Sequence, residues 1–464
     1  MSRDATNLLY LITIVTFILA LRFLSSPAHA RRGNQIGAIG MLVAIGVTFV
    51  QNQSPVDSYW EIAVGMGVGG VFGAVAARRV KMTAMPQMVA LFNGVGGGAA
   101  ALIALAEYHN RQPLPGHLHV DISASIILSA LIGSVSFTGS MVAFAKLQEL
   151  IGGRPITYPG QKLVNGLVFL AALAVGIAIV ANVENQWLLA GVLIGGGLFG
   201  IMFVLPIGGA DMPVVISLLN AFTGLAAAAT GFELENNVLI VSGMLVGASG
   251  TLLTLKMAHA MNRSVANVVF GAFGQVQATA GQAGATDGAV RSANAEDVAI
   301  MLAYAHKVVF VPGYGMAVAQ AQHDVRQLAD VLEGKGVEVS YAIHPVAGRM
   351  PGHMNVLLAE ANVPYPQLKE MEDANPEFAR TDVAIVIGAN DVVNPDARAN
   401  QGSPIYGMPI LNVDDAQQVV VLKRSMNPGF AGIDNPLFLN PKTVMLFGDA
   451  KDSVTRLIAQ VKAL

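Results

Sequence analysis

Residues Lys307 to Gln322 combine an apolar strand-like run, a glycine turn and a helix-like segment, an order that suits phosphate binding. Glycines in such a turn let the backbone approach a phosphate, and the N-terminus of the next helix offers unpaired N–H groups and a positive dipole end. Strand, glycine turn and helix in this order are typical of dinucleotide-binding sheets. The predicted cofactor-binding residues of this turn are Gly313, Tyr314, Gly315, Met316, Ala317 and Val318.

A second glycine turn follows a later predicted strand, Asp382–Ile387. Ligands of parallel sheets bind at the carboxyl ends of strands, so we expect the two turns to face one site. Taken alone, the first turn is also compatible with an ordinary tight connection, because Val318 replaces the third glycine of the usual fingerprint. The second turn adds four predicted cofactor-binding residues, Gly388, Ala389, Asn390 and Asp391.

Charges at the other predicted strand ends favour NADP(H) over NAD(H). The second strand ends at His344 and Pro345, without the acid that usually binds a ribose 2′-hydroxyl. Two cations and a hydroxyl follow the strand Val419–Leu422, and a guanidinium matches the geometry of a 2′-phosphate. The alternative for such a pair of cations is a solvated surface. The predicted ligands here are Lys423, Arg424 and Ser425, joined by Val346, Ala347, Gly348 and Arg349 after the second strand.

The composition indicates that a membrane domain precedes the predicted nucleotide-binding region in the sequence. The chain has 464 residues, of which 53% are hydrophobic and only 12% charged, against about 25% charged in soluble domains. The absence of cysteine excludes disulfides and thiolate metal sites, no histidines are paired at metal-ligand spacing, and the net charge of −3 gives no indication of a nucleic acid partner. Each membrane span needs roughly 20 apolar residues. The predicted spans, about nine, are Asn7–Leu24, Gln35–Val50, Tyr59–Ala77, Pro86–Ala106, Ile122–Ala145, Leu163–Ala181, Trp187–Leu205, Pro213–Phe232 and Val238–Met257.

Loop charges predict the orientation of these spans, because basic loops stay in the cytoplasm. One set of loops carries Arg22, Arg31, Arg32, Arg78, Arg79, Lys81, Lys146, Arg154, Lys162, Lys256 and Arg263. The alternate loops carry Asp57, Glu107, Asp121, Glu184, Glu233 and Glu235, with Arg111 as their lone Lys or Arg. The N-terminus is therefore expected outside and the C-terminal domain in the cytoplasm. The stretch Ala28-His29-Ala30 resembles a signal-peptidase site, but cleavage there would leave Arg31 and Arg32 outside, so we expect an uncleaved first helix.

The predicted architecture is an α-helical membrane bundle (residues 1–260), a linker (261–293) and a soluble α/β Rossmann-like parallel-sheet domain (294–464). Within the linker, Val265–Phe273 is either a plain tether or an amphipathic stretch at the membrane surface. The predicted strands are Lys307–Val311, Glu338–Ile343, Asp382–Ile387, Pro409–Asn412, Val419–Leu422 and Thr443–Phe447. The predicted helices are Ala295–Ala305, Ala317–Leu332, Met354–Ala361, Lys369–Asn375 and Ala450–Val461.

Three polar residues in or beside the apolar spans are candidates for a proton path, because polar groups inside membrane helices are functional candidates by default. Asn93 and Asn220 lie within predicted spans, and Asp211 lies at a predicted cytoplasmic end. The alternative for the asparagines is interhelical hydrogen bonding, which averages about 0.6 kcal/mol per pair in membranes.

Four long motifs give the chain a family resemblance: Pro312–Gln322, His344–Tyr365, Gly388–Pro395 and Lys423–Phe438. With them, essentially the whole chain resembles the β subunit of proton-translocating NAD(P) transhydrogenase. The resemblance implies NADP(H) on residues 294–464, with the 2′-phosphate on Lys423, Arg424 and Ser425, and with Asp391 near the nicotinamide in a coupling role. It also implies that Asn93 stands where some relatives carry a titrating histidine, and Phe430 where many carry tyrosine.

The resemblance further implies a reaction, partners and a location. Hydride transfer from NADH to NADP⁺, of the AB (Si-Re) type, would be coupled to proton movement and would make NADPH. NAD(H) would bind an α subunit, and α-β units would pair as a dimer in a bacterial inner membrane. Since asparagine does not titrate, the Asn93 position favours relatives whose titrating histidine lies on the partner. The competing hypothesis is a channel or transporter regulated by a cytoplasmic dinucleotide-sensing domain.

Overall fold

The computed structural model describes residues 3–26, 29–51, 59–80, 84–111, 119–152, 155–181, 185–208, 211–261, 264–270, 290–349, 352–403, 405–429 and 431–464. The chain divides into two compact units, Met1–Gly209 with Val215–Thr254, and Leu255–Leu464 with Ala210–Val214. Phe430, Ala28 and linker residues 271–289 lie outside the described ranges. The expectations that concern them stay predictions.

Nine helices in the described part of the chain are long and apolar enough to cross a membrane, which confirms the prediction of about nine spans. The second helix is longer than predicted because its first turn includes Arg31 and Arg32. The helices are Arg3–Leu24 (α1), Ala30–Gln51 (α2), Tyr59–Arg79 (α3), Met85–Arg111 (α4), Val120–Leu147 (α5), Gln161–Val180 (α6), Gln186–Val204 (α7), Met212–Glu233 (α8) and Asn237–Ala260 (α9).

Helix α5 is the most buried of these helices, and small residues let its neighbours approach it closely. A Cβ atom on Gly97 of α4 would lie 2.9 Å from the carbonyl oxygen of Gly133 of α5. On the α7 side, a Cβ atom on Gly200 would lie 2.5 Å from the carbonyl oxygen of Val135. By contrast, none of the residues of α3 is buried. The first unit is therefore built around α5.

The second unit contains one parallel sheet of six strands in the order β3-β2-β1-β4-β5-β6. Strand order reverses between β1 and β4, and this switch point is where open parallel sheets bind ligands. β4 is buried along its whole length, as expected for a strand covered on both faces. The strands are Lys307–Pro312 (β1), Glu338–Ile343 (β2), Leu368–Glu370 (β3), Val383–Ile387 (β4), Gln418–Lys423 (β5) and Thr443–Phe447 (β6).

Eight helices of four to fourteen residues complete the second unit in the described part of the chain. Phe378, Phe438 and Met445 are among the side chains that fill the core against the sheet. In the predicted linker the structure has a short helix, Val265–Phe270 (α10). The others are Ala295–Ala303 (α11), Tyr314–Ala319 (α12), Gln322–Gly334 (α13), His353–Glu360 (α14), Met371–Phe378 (α15), Asp396–Ala399 (α16) and Ala450–Ala463 (α17).

One predicted strand is wrong in type, and the helix predicted from Lys369 begins two residues later, at Met371. Pro409–Asn412 is not a strand: Pro409 has no N–H to donate, and the Asn375 side chain bonds both the carbonyl of Ile410 (3.0 Å) and the N–H of Asn412 (2.9 Å). Lys369 belongs to the edge strand β3 rather than to a helix, because it pairs beside β2. The backbone groups of Ile410 and Asn412 thus bond a side chain instead of a neighbouring strand. The backbone of Lys369 lies in the sheet instead of a helix.

The helix predicted over Ala317–Leu332 is wrong in its continuity. Gln320 adopts a left-handed conformation (φ 52°) and separates α12 from α13. The chain therefore turns one residue after the first short helix, and α13 alone carries the amphipathic face that packs on the sheet.

Candidate functional site

The loops after β1 and β4 contact each other through their backbones. The N–H group of Gly313 donates to the carbonyl of Ile387 at 2.9 Å. The N–H group of Gly315 donates to the carbonyl of Gly388, also at 2.9 Å. A Cβ atom on Gly313 would lie 2.5 Å from the Cα of Ala389, so only glycine fits there. The two predicted glycine turns therefore meet at the switch point of the sheet.

This contact changes the interpretation of the first turn. The N–H groups of Gly313 and Gly315 already have carbonyl partners within the protein, and the side chains of Met316 and Ala317 are fully buried. Val318 is exposed. The glycines thus serve the packing of two loops, and a ligand at this turn would meet its outer surface rather than the N–H groups of its glycines.

Arg349 and Tyr314 come together across the ends of β1 and β2. The guanidinium carbon of Arg349 lies 4.7 Å from the centroid of the Tyr314 ring, a cation–π distance. The N–H of Arg349 donates to Nδ1 of the buried His353 at 3.1 Å, and Gly348 lies against the same ring. His353 therefore fixes the backbone from which the Arg349 side chain extends.

His344 fixes the other end of this turn. Its Nδ1 accepts from the N–H of Val346 at 3.2 Å, so its Nε2 donates to the carbonyl of Pro409 at 2.8 Å. Burial lowers the pKa of His344, and its bond to the Pro409 carbonyl opposes this. Ala347 is buried beside it. A neutral histidine on each side holds the predicted ligands of residues 346–349.

Acidification is expected to destabilise the second unit through His353. Burial, followed by the charge of Arg349, lowers the pKa of this histidine from 6.5 to about 4. The unfolded chain then binds more protons than the folded one between these values, so stability falls as pH drops from about 6.5 and the full loss is reached near pH 4. That loss is roughly 3 kcal/mol. Urea unfolding of a fragment from residue 290 onward, measured between pH 4 and 7.5, gives the slope.

His353→Asn is the matched variant for this measurement, because its amide oxygen can still accept from the N–H of Arg349 but does not titrate. Its stability is expected to fall less with acid than that of the wild-type fragment. Equal slopes for the two fragments would contradict the assignment to His353, since the carboxylates are the same in both.

Asp391 lies at the tip of β4 against the segment that follows β5. Its Oδ2 accepts from the N–H of Ala431 at 2.9 Å, and a Cβ atom on Gly429 would lie 2.6 Å from its Oδ1. Next to it, Asn435 donates to the backbone oxygen of Asn390 at 3.0 Å. The buried Nδ2 of Asn390 has no hydrogen-bond partner in the described part of the protein. The tip of β4 therefore carries one amide donor that a ligand could use.

The three residues predicted to bind a 2′-phosphate lie at the end of β5 in two environments. Lys423 is partly buried, with its Nζ bonded to the carbonyl of Asn427 and lying 4.8 Å from the centroid of the Phe438 ring. Burial lowers the pKa of Lys423, while the carboxylates of Asp391 and Asp434 oppose this effect. Arg424 and Ser425 follow, and both are exposed.

Arg424 is available for an anion. Its side chain is exposed and makes no ion pair or side-chain hydrogen bond with any residue that the structure describes. The hydroxyl of Ser425 accepts only a long bond, 3.4 Å, from the N–H of Asn427. Both groups can therefore turn toward a ligand without breaking strong contacts.

In the first unit, Asn93 belongs to a hydrogen-bonded cluster between α4, α5 and α8. Its Nδ2 donates to the hydroxyl of Ser140 at 2.9 Å and to that of Ser136 at 3.4 Å. Ser136 in turn bonds the hydroxyl of Thr223 on α8. Asn220 directly follows Leu219, whose carbonyl accepts from the Ser136 hydroxyl at 3.0 Å. The Asn220 side chain itself makes no hydrogen bond with the described residues.

Asp211 immediately precedes α8 and is half-buried. The structure thus places Asn93 within a polar cluster of the bundle, and no hydrogen bond joins the Asn220 side chain to that cluster among the described residues. Sequence reasoning missed His344 and His353, whose signal is the pair of histidines flanking the glycine-rich run Pro345–Gly352. All proton-path residues stay predictions.

Comparison with known proteins matches the chain over nearly its whole length. The family model described as NAD(P) transhydrogenase beta subunit matches residues 6–460. Two curated relatives, one from Rhodospirillum rubrum and one from a defined strain of that species, are named NAD(P) transhydrogenase subunit beta. Each is 48% identical to this chain over 463 residues, covering 99% of both sequences. The predicted resemblance is confirmed, and nothing in these matches favours the channel alternative. The chain belongs to the NAD(P) transhydrogenase beta subunit family.

Proposed function

We propose that this chain binds NADP(H) on residues 294–464, at the carboxyl ends of β1, β4 and β5. The observation that carries the proposal is the exposed, unpaired guanidinium of Arg424 with the hydroxyl of Ser425 beside it. A guanidinium presents a planar pair of donors that matches a phosphate. The unpartnered amide of Asn390 at the neighbouring strand tip supplies a further donor. These residues fit an NADP(H) molecule whose 2′-phosphate lies at the end of β5.

The chemistry we propose is hydride transfer between NADH and NADP⁺, of the AB type, with NAD(H) on the α subunit. The bound nucleotides supply the hydride chemistry, and this chain binds and orients one of them. Arg424, Ser425 and Lys423 would hold the 2′-phosphate. Arg349, fixed by His353 and stacked on Tyr314, borders the dinucleotide. Because a beta subunit implies an alpha subunit, the partner in this reaction is that chain, and we propose that the complex is a dimer of α-β units.

Coupling to proton movement requires two states of the protein with different affinities for NADP⁺ and NADPH. Asp391 is our candidate for the residue that senses the state, because its carboxylate joins the tip of β4 to the Gly429–Ala431 segment. A shift of that segment would change the surroundings of the nicotinamide. Asn93, Asn220 and Asp211 remain our candidates for the proton path.

The proposed location is a bacterial inner membrane, with the N-terminus outside and the nucleotide domain in the cytoplasm. The support for this orientation is the alternation of basic and acidic loops along the sequence. NADH and NADP⁺ are cytoplasmic metabolites, so the orientation and the cofactor assignment agree. The domain boundaries at residues 260 and 294 belong to the same proposal.

The test is binding of NADPH and NADH to a fragment from residue 290 onward, by calorimetry. We expect the wild-type fragment to bind NADPH much more tightly than NADH. Arg424→Gln is expected to weaken NADPH binding by roughly tenfold to a hundredfold, because a charge-assisted bond contributes about 1.5–3 kcal/mol. Its affinity for NADH should change little. Arg380→Gln, at an exposed position before β4, is the matched control. Equal affinity for both nucleotides, or no binding, would contradict the cofactor assignment.

A further inference from the structure

Glu233, the last residue of α8, is a buried acid at the end of an apolar helix. Its side chain is fully buried, and neither carboxylate oxygen has a hydrogen-bond partner among the described residues. Burying an ionised carboxylate without partners is costly. Acids kept inside membrane helices are rare and mark ion or proton pathways. The position therefore calls for a function.

The charged neighbours of Glu233 do not neutralise its carboxylate. Arg111 of α4 donates to the backbone carbonyl of Glu233 at 2.9 Å, while the guanidinium Nε pairs with the carboxylate of Glu107. Among the described residues, Glu107 and Arg111 are the charged groups that interact electrostatically with the Glu233 carboxyl. Asp121 in the first turn of α5 and Glu235 after α8 are exposed. The guanidinium thus lies close to Glu233 but is paired with another acid.

A row of hydroxyl groups starts one helical turn away from Glu233. Thr230 on α8 bonds the hydroxyl of Ser129 on α5 at 2.7 Å, and both side chains are buried. Two turns further along α8, Thr223 contacts the cluster of Ser136 and Asn93. Spacings of three and seven residues keep Thr223, Thr230 and Glu233 on one face of the helix. The buried acid and the polar cluster therefore share one helix interface.

We propose that Glu233 is a proton-exchanging residue of this subunit, which takes up a proton at the end of α8 and passes it along Thr230 and Thr223 toward Asn93. The inference rests on the proposed function, since it assumes that this chain moves protons. An O–H bond forms on the carboxylate and breaks when the proton passes to the next acceptor, with no change of oxidation state. Thr230 and Thr223 are about 10 Å apart along the axis, so transfer between them needs water in the interface.

This assignment supplies a titrating group where Asn93 supplies none. An amide does not exchange its charge near neutral pH, whereas a carboxyl can bind and release a proton. Asn93 then acts as a hydrogen-bonding member of the row rather than as the residue that binds the proton. The titrating group of this interface lies on the chain itself.

The test uses the full chain assembled with its α subunit in proteoliposomes, with a pH-sensitive dye reporting proton movement during transhydrogenation. Glu233→Gln keeps the shape of the side chain and removes its titration. It is expected to lower proton movement by about tenfold or more and to flatten the pH profile of the coupled rate, with NADPH affinity unchanged. Glu235→Gln, two residues away and exposed, is the control and should behave as wild type.

Each outcome decides a different point. Wild-type proteoliposomes that catalyse hydride transfer without proton movement would overturn the proposed function. Wild-type movement that persists in Glu233→Gln, with the same pH profile, would overturn the inference alone. If Glu233→Gln fails to assemble, the deciding variant is Thr230→Val, which replaces a hydroxyl by a methyl group of similar size. Slower proton movement at unchanged NADPH affinity in this variant would support the path. Proton movement at the wild-type rate would overturn it.

Discussion

Replacing Gly388 with alanine is expected to destabilise the nucleotide-binding unit by roughly 2–5 kcal/mol and to abolish NADP(H) binding. Gly388 has φ +65°, and a Cβ atom there would lie 2.3 Å from the Cα of Gly315. The left-handed conformation costs a non-glycine residue about 1–2 kcal/mol, and forcing an extra carbon between two backbones adds about 1–3 kcal/mol. Because the atom it meets is backbone, no side-chain rotation can relieve the contact.

Gly352→Ala separates the two contributions. Gly352 has a similar backbone angle, φ +68°, but a Cβ atom there would meet no atom of the described residues within 4 Å. This variant is expected to lose only the conformational part, about 1–2 kcal/mol, and to keep its affinity for NADPH. Urea unfolding and NADPH titration of the fragment from residue 290 onward measure both effects. Similar losses in the two variants would show that the contact between the loops contributes nothing.

The two glycine turns show which features of the nucleotide-binding unit could be predicted from the sequence and which could not. Their positions at the carboxyl ends of β1 and β4 were predictable, because strand, glycine turn and helix occur in that order in the chain. Their packing was not, because nothing in either turn indicates that its nearest neighbour is the other. Gly313 and Gly315 satisfy a fingerprint for phosphate binding, yet the space they leave is taken by Gly388 and Ala389.

Burial decides which sequence patterns could be recognised. The membrane helices and five of the six strands, all except β3, are mainly apolar runs, and all of these were predicted. The edge strand Leu368–Glu370 has only one apolar residue and is partly exposed, so it has no such pattern. Pro409–Asn412 has the composition of a strand, but the side chain of Asn375 occupies its backbone groups. Asn375 lies more than 30 residues before this segment, so the local composition of the segment does not predict these hydrogen bonds.

Glu233 and Glu235 illustrate the same limit in the membrane unit. Both were assigned to an outer loop, where two acids near an asparagine pair resemble a solvated turn. The structure extends α8 to Glu233 and buries it completely, while Glu235 is exposed. The helix end and the neighbouring α4 produce this difference, and neither is visible in the spacing of the acids. The same reasoning explains why Asn93 was found: it lies in the middle of an apolar run.

Replacing Gly133 with valine is expected to eliminate coupled activity by separating α4 from α5. A Cβ atom on Gly133 would lie 2.7 Å from the carbonyl oxygen of Gly97 and 3.0 Å from the N atom of Ala101. The same interface holds the bond from Asn93 to Ser140. Overpacking costs about 1–3 kcal/mol, and each polar bond lost in the membrane adds about 0.6 kcal/mol. The bond from Asn93 to Ser140 should therefore break, and α4 and α5 should no longer pack in their present alignment.

The control is Gly166→Val on α6, where a Cβ atom would have no neighbour within 4 Å in the part of the chain that the structure describes. It adds the same side chain to a membrane helix without pressing on a neighbour, so both assembly and coupling should persist. Size-exclusion chromatography of the detergent-extracted complex and dye-reported proton movement in proteoliposomes distinguish loss of assembly from loss of coupling. If Gly133→Val assembled and moved protons as wild type does, close packing of α4 on α5 would not be what holds Asn93 in its cluster. The proton path would then have to be sought on another helix face.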